Sequence, residues 1–106
     1  MAREELKGHL DLLLLATLRS QELHGYALIE ELKRGSDGAF DLPEGTIYPA
    51  LHRLERAGLL SSRWSSESGR RRRVYHLTRK GAAALDERKQ AWKQFSHGVD
   101  LVVQEA

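Results

Sequence analysis

The sequence feature that most constrains the fold is a change in hydrophobic period near residue 60. Before it, apolar residues recur at helical spacing, and the third such stretch, about residues 45–57, ends at Gly58. After it, two short extended segments flank the glycine-containing turn Glu67-Ser68-Gly69, a pattern typical of a β-hairpin. In a chain of 106 residues with room for one core, a helix leading into a hairpin predicts a mainly α fold with a small β-hairpin.

Two further helices are predicted before these elements and one after them. A run of leucines at helical spacing predicts a first helix over residues 5–19. A short polar connection, residues 20–25, leads into a second helix that is expected to end near Gly35. Thr78 has the side chain of an N-cap, so a long last helix is expected over residues 79–104.

Pro49 leaves the start of the third helix undecided. Proline fits a helix only where its missing N–H would have had no helical partner. Either the helix begins near Thr46, or it is bent in its first turn. The sequence does not distinguish these two arrangements.

The composition excludes several classes of protein. The chain has no cysteine, which rules out disulfides, thiolate zinc sites and cysteine nucleophiles. Its five histidines lack zinc-binding spacing, and no catalytic motif can be assembled, so we expect no enzyme activity, no metal and no cofactor. The longest apolar run, residues 12–16, is too short to cross a membrane. The first residues contain no apolar signal segment, so we expect a cytoplasmic protein.

The charges are unevenly distributed along the chain. Residues 52–80 contain nine Lys or Arg and two acidic residues, a balance of +7, whereas the whole chain has a net charge of only +2. The rest of the chain is therefore acidic. Such a distribution indicates one basic face for a polyanion, with nucleic acid or an anionic surface as the partner.

The third helix has the two faces that a DNA-reading helix needs. Ile47, Leu51 and Leu54 are expected to point inward. The residues that are left to face outward are Thr46, Tyr48, Pro49, His52, Arg53 and Arg56. Three helices followed by a basic hairpin is the element order of a winged helix-turn-helix, in which the third helix enters the major groove.

The hairpin carries four consecutive arginines, Arg70–Arg73. Because alternate side chains of a strand face opposite sides, at most two or three of them can face one duplex. The alternative is that the arginines form a solvated face that protects an edge strand from aggregation. Next to a matching third helix, we favour phosphate contacts.

Tyr26 has two interpretations. It could contact a phosphate, with the dipole of the second helix adding to the attraction. It could also pack beneath the third helix, which is the interpretation we favour here.

The last helix predicts a homodimer. Its apolar residues are close to a heptad seam, which Arg88 interrupts, and they are Leu85, Trp92, Phe95, Val99 and Val102. A helix of this length spans roughly 37 Å, more than the shorter helices can cover, so a second copy is the simplest partner. We therefore expect a DNA-binding domain over residues 1–78 and a dimerisation helix over residues 79–106.

Three segments together resemble one known family. They are LPEGTIYPALHRLE at residues 42–55 followed by AGLL at 57–60, HGYALI at 24–29, and RRRVYHLTRKG at 71–81. In this order they are similar to the recognition helix, second helix and wing of PadR-type transcriptional regulators. The resemblance covers about residues 8–95, and the short chain is similar to the subfamily with a single C-terminal dimerisation helix.

The resemblance implies a winged-helix homodimer that represses promoters and often responds to small aromatic effectors. The partner would be double-stranded DNA at a palindromic site. The residues that fall on the family's DNA-facing positions are Gly45, Thr46, Tyr48, Pro49, Arg53, Gly69, Arg70, Arg71 and Arg72. His52, from the outward face of the third helix, completes the predicted DNA contacts.

Trp92 also lies eleven residues after Gly81, as does the tryptophan beside the drug pocket of multidrug-sensing members. A planar effector could stack there, although packing in the dimer seam with Phe95 explains the residue equally simply and is favoured. The predicted dimer and effector residues are Leu10, Leu14, Trp92, Phe95 and Val99. The alternatives are a protein-interaction winged helix without DNA binding and a dimer that chiefly senses ligands. The sequence gives neither the operator, the regulated genes, the effector nor the sign of regulation.

Overall fold

The computed structural model describes residue 6 and residues 8–104. Residues 1–5, on which the expectation of no signal segment partly rests, lie outside that part. The elements follow in the order α1 (Leu10–Thr17), β1 (Leu23–His24), α2 (Gly25–Gly35), α3 (Glu44–Arg56), β2 (Leu60–Ser65), a 3-10 turn (Glu67–Gly69), β3 (Arg72–Leu77) and α4 (Arg79–Gln104). This order confirms the predicted mainly α fold with a winged helix-turn-helix and a long last helix.

The first helix is shorter than the predicted range of residues 5–19. The regular helix α1 begins at Leu10, after a turn at Gly8 and His9, and ends at Thr17. Glycine is a weak helix former, which explains why the helical leucine pattern does not extend α1 in the N-terminal direction. Residues 5 and 7 of the predicted range lie outside the described residues.

The sheet has three strands rather than the two of the predicted hairpin. Strands β2 and β3 form the hairpin, with Leu60 opposite Leu77 and Ser65 opposite Arg72. The predicted polar connection over residues 20–25 contributes β1, which pairs antiparallel with the other edge of β3. Strand β3, which begins with Arg72 and Arg73, is therefore the central strand and is paired along both edges.

Helix α3 begins at Glu44, two residues earlier than the first of the two predicted arrangements. Pro49 therefore lies inside the helix, in its second turn. Its missing N–H leaves the carbonyl of Gly45 without the usual i to i−4 partner. The helix ends before Gly58, whose φ of +82° is favourable for glycine.

One apolar core lies between the helices and the sheet. Its members are Leu14, Leu15, Leu18, Leu28, Ile29, Leu32, Ile47, Ala50, Leu51, Leu54, Leu59, Leu60, Tyr75 and Leu85. Leu14 is 0% exposed within the single chain, so its predicted place at a dimer or effector interface is wrong. The residue belongs to the face of α1 that packs on the core. Leu85 is also buried, which joins the start of α4 to this core.

Helix α4 begins as predicted, with the hydroxyl of Thr78 accepting a hydrogen bond from the backbone N–H of Gly81 at 3.0 Å. A side chain at Gly81 would overlap the carbonyl of Leu59. The start of α4 can therefore lie this close to Leu59 only because residue 81 is glycine. The 26 residues of α4 span about 39 Å, and its second half leaves the core. No helix among the described residues combines the length and apolar character needed to span a bilayer.

Candidate nucleic-acid interface

Helix α3 has the two faces that the sequence predicts. Ile47, Leu51 and Leu54 are buried in the core, together with Ala50. The residues of α3 on the opposite face that are exposed to solvent are Gly45, Pro49, His52, Arg53 and Arg56, with Thr46 and Tyr48 half-buried. The start of α3 therefore presents a surface without large apolar side chains.

The start of α2 lies against this helix. Tyr48 packs its ring directly over Gly25, the first residue of α2. Tyr26 is 58% exposed, so its favoured placement beneath α3 is wrong. Gly25, the residue before it, makes the close contact with α3 instead. Burial raises the pKa of Tyr48, and Glu44 raises it further, so its hydroxyl stays protonated.

A cleft of about 490 Å³ separates the hairpin from the start of α2. The residues that line it are His24, Gly25, Tyr26, Tyr48, Trp64, Arg70, Arg71, Arg72 and Arg73. Among these lining residues, four are arginines and none is acidic. Such a surface attracts an anion, and its position beside α3 brings together two groups of predicted DNA-contacting residues.

His24 connects the hairpin to the helix-turn-helix. Its Nδ1 accepts a hydrogen bond from the backbone N–H of Ala27 at 3.1 Å and so caps α2. Its Nε2 lies 2.7 Å from Nη1 of Arg72. Burial lowers the pKa of His24, and the Arg72 guanidinium lowers it further, which favours the neutral ring. A neutral ring that accepts at Nδ1 carries its proton on Nε2, so the close approach of Arg72 brings two donors together and is not a hydrogen bond between them.

The guanidinium groups of two hairpin arginines lie over the ring of Trp64. Trp64 was not among the predicted site residues. It lies opposite Arg73 in the β2–β3 register. The guanidinium carbon of Arg71 is 4.5 Å from the centroid of the Trp64 ring, and that of Arg73 is 5.2 Å away. The sequence contains a signal for this contact. Residues 71 and 73 are two positions apart and so share one face of the extended segment, and the hairpin register puts Trp64 opposite Arg73 on that face.

Arg73 is also anchored to α3. Its Nε donates to the hydroxyl of Ser62 at 2.7 Å, and that hydroxyl donates to Glu55 at 2.6 Å. A guanidinium nitrogen of Arg73 lies 3.9 Å from the same carboxylate. These contacts fix the base of the wing against the C-terminal half of α3.

Arg53, a predicted DNA contact, also forms an ion pair within the fold. Its guanidinium forms a two-bond ion pair with Asp11 of α1, with distances of 3.0 and 2.6 Å. Arg88 of α4 donates to the same carboxylate at 2.9 Å, which gives a structural reason for the arginine that interrupts the heptad seam. The hydrogen bonds from Arg53 hold the pKa of Asp11 below its usual value despite partial burial. The Arg53 side chain is nevertheless 54% exposed and has further N–H groups, so its contact with DNA stays a prediction.

A mainly apolar cavity of about 630 Å³ lies where α1 approaches α4. The residues that line it are Leu6, His9, Leu12, Leu13, Ala39, Phe40 and Trp92. Trp92 is 41% exposed, and its ring is 4.9 Å from that of His9 in an edge-to-face arrangement. Phe95 and Val99 are exposed farther along α4, while Leu10 is half-buried. In the described part of the chain, no three His, Asp or Glu side chains form a candidate metal site.

Several known proteins of similar sequence and structure are transcriptional regulators. The transcriptional regulator Rv3488 of Mycobacterium tuberculosis is 39% identical over 97 residues, which cover 92% of this chain and 88% of that protein. A PadR-like transcriptional regulator from Bacillus cereus is 33% identical with a TM-score of 0.84, over 95% of this chain and 97% of the other. A PadR family transcription regulator from Clostridium difficile is 32% identical with a TM-score of 0.79, over 91% and 99% of the two chains.

The match to the family itself covers most of the chain. The model of the transcriptional regulator PadR-like family matches residues 14–87, from α1 into the first turns of α4. This range contains the helix-turn-helix, the arginine-bearing wing and the cleft between them. It agrees with the resemblance carried by the three sequence segments, and the relatives are regulators rather than enzymes. The chain belongs to the PadR-like family of transcriptional regulators.

Proposed function

We propose that this protein binds double-stranded DNA at a palindromic promoter site as a homodimer and represses transcription until a small aromatic effector releases it. Membership of a family of transcriptional regulators supports the DNA-binding part. The observation on this chain that carries the proposal is the cleft with four arginines beside the exposed face of α3. Because phosphate contacts supply most of the sequence-independent affinity for DNA, this surface fits a duplex backbone.

In the proposed complex, the first turns of α3 read bases in the major groove. Gly45, Thr46, Pro49 and His52 lie on the face that would approach base edges, and Tyr48 lies at the border with the cleft. The wing is the β2–β3 hairpin, and its tip, from Gly69 to Arg72, would contact flanking phosphates or the minor groove. We keep the expected cytoplasmic location as part of this proposal, since a regulator of promoters must reach the DNA.

The exposed apolar face of α4 supports the homodimer. The large apolar residues exposed on this helix are Trp92, Phe95, Val99, Leu101, Val102 and Val103. Residues 92, 95, 99 and 102 of this set are spaced three or four apart and so lie on one side of α4, whereas Leu101 lies on the other. An exposed apolar side of a helix favours burial against a partner, and a second copy of α4 offers a matching face. We therefore keep the proposed division between a DNA-binding unit up to residue 78 and a dimerisation helix after it, although the first turns of α4 pack in the core.

The cavity beside Trp92 supports the effector part of the proposal. It is apolar, large enough for a small aromatic molecule, and lies between α1 and the helix proposed for dimerisation. An effector that binds there would change the spacing of the two DNA-binding units only if it prefers one spacing over the other. Such a preference would lower the affinity for the operator by a shift in population.

The decisive experiment is a salt titration of DNA binding. Wild-type protein and the variant Arg71→Gln/Arg72→Gln are titrated into a labelled mixed-sequence duplex at several salt concentrations. Each lost phosphate contact is expected to reduce the slope of log K against log salt by about 0.9. The matched control is Arg34→Gln, because Arg34 is exposed at the far end of α2 and pairs with Glu31. The control should keep both the affinity and the slope of the wild type.

An unchanged affinity and slope in the double variant would contradict the proposal. Wild-type protein without salt-dependent affinity for any duplex would favour the alternative of a winged helix that binds only proteins. Selection of binding sites from random duplexes, followed by reporter expression with and without the protein, tests the palindrome and the sign of regulation. The half-site spacing of the selected sequences also reports the geometry of the dimer.

A further inference from the structure

Trp64 is a large aromatic side chain placed on the surface of the wing. It is 53% exposed and lies near the turn end of the β2–β3 ladder, opposite Arg73. Burial in the core therefore does not explain it. Its ring faces two guanidinium groups, Arg71 at 4.5 Å and Arg73 at 5.2 Å, within the range of cation–π attraction.

The two arginines depend on this ring to different degrees. Arg73 has other anchors, in Ser62 and Glu55. Arg71 makes no ion pair with any other described residue, so its only described orienting contact is Trp64. Removal of the indole would leave Arg73 tethered and Arg71 free to rotate.

We propose that Trp64 is a positioning residue that holds Arg71 extended toward the DNA backbone. The inference rests on the proposed DNA-binding function and adds a specific determinant of affinity to it. A long arginine side chain loses rotamer freedom when it binds a phosphate, and a side chain already held in place loses less. Trp64 therefore strengthens phosphate binding without contacting the phosphate itself.

A ring suits this role better than a carboxylate. Arg63, on the opposite face of β2, pairs with Glu22 at 2.5 Å, so its charge and part of its donor set are already engaged. A guanidinium that lies over an indole keeps its net charge, and the N–H groups at its rim stay available. The wing thus holds Arg71 in one orientation and leaves it able to bind an anion.

The test compares Trp64→Leu and Trp64→Phe with the wild type on one labelled mixed-sequence duplex. Loss of the aromatic face in Trp64→Leu should weaken binding about twofold to fivefold for each wing. The salt slope should stay unchanged, because the number of phosphate contacts is the same. Trp64→Phe, which keeps an aromatic face, should recover part of the affinity. Thermal unfolding of each variant verifies that the wing and core remain folded.

A double-mutant cycle separates positioning from direct contact. In the Arg71→Gln background, Trp64→Leu should have little further effect, whereas in the matched Arg70→Gln background it should keep its full effect. Wild-type affinity in Trp64→Leu overturns the proposal, and so does an equal loss in both backgrounds, since the indole would then touch the duplex itself. If Trp64→Leu does not fold, the same cycle with Trp64→Phe decides between these outcomes. Wild-type protein that does not bind the duplex at all would instead overturn the proposed function.

Discussion

Gly25 and Tyr48 are in direct contact where the two helices of the helix-turn-helix meet. A Cβ atom added to Gly25 would lie 2.5 Å from Cζ of Tyr48, closer than real side chains approach. The absence of a side chain on α2 thus determines where the tyrosine of α3 rests. Since both residues line the arginine-rich cleft, this contact positions one wall of the proposed interface.

Gly25→Ala is expected to displace the ring of Tyr48. We expect a destabilisation of about 1–3 kcal/mol, typical of overpacking, together with weaker DNA binding because the cleft changes shape. Urea denaturation measures the loss of stability. The control is the same substitution in a Tyr48→Ala background, where the added methyl group meets no ring and should cost much less. An equal loss in both backgrounds would show that the Tyr48 ring is not the cause.

Gly45→Ala is expected to weaken DNA binding without lowering the stability of the fold. A Cβ at Gly45 meets no atom within 4 Å, so the substitution should leave stability unchanged or slightly higher. Because Gly45 lies in the first turn of α3, a methyl group there would press against a duplex in the major groove and weaken binding about tenfold. Gly35→Ala is the matched control, since that glycine also has open space and lies at the far end of α2. Unchanged binding by Gly45→Ala would place this turn away from DNA.

The elements with strong periodicity could be predicted from the sequence. The inward positions of α3, the hairpin, the Thr78 cap and the long α4 all follow from local patterns, because each is decided by residues within a few positions of one another. The two-residue strand β1 could not be predicted. It exists only because the edge of β3 is available for pairing, which is a tertiary condition.

The site residues show the same limit. The exposed face of α3 follows from helical spacing, but the ion pair of Arg53 with Asp11 joins residues 42 positions apart. The contact of His24 with Arg72 spans 48 positions. Such pairs depend on how the elements pack, and charge patterning along the chain carries no information about that packing. The sequence thus identifies the basic segment, while the structure determines which arginines are already engaged.

The cap of α2 should make stability depend on pH near neutrality. The pKa of His24 is lowered in the folded protein by burial and by Arg72, so folding favours the neutral ring. Its contribution to stability is therefore present above the unfolded pKa of about 6.5 and is lost as the pH falls through the lower folded value. Melting temperatures measured from about pH 7.5 down to pH 5 should decrease on this account.

His24→Asn isolates this contribution from that of the other histidines. Asparagine is also a good N-cap, but it does not titrate, so the variant should lose less stability than the wild type over the same acidic range. Circular dichroism at each pH follows the melting of both proteins. Parallel pH profiles of the two proteins would show that His24 does not contribute.

The effector cavity can be tested with the two tryptophans of the chain. In Trp64→Phe, Trp92 is the only tryptophan, and in Trp92→Phe, Trp64 is the only one. A planar aromatic cation such as 9-aminoacridine should quench the first variant saturably, because Trp92 lines the apolar cavity with Phe40 and His9. In the second variant the remaining tryptophan is Trp64, which lies on the wing among arginines. Its fluorescence should fall only by the non-saturable amount that absorption of light by the dye causes. Equal quenching in both variants, or none in Trp64→Phe, would remove Trp92 from the proposed effector site.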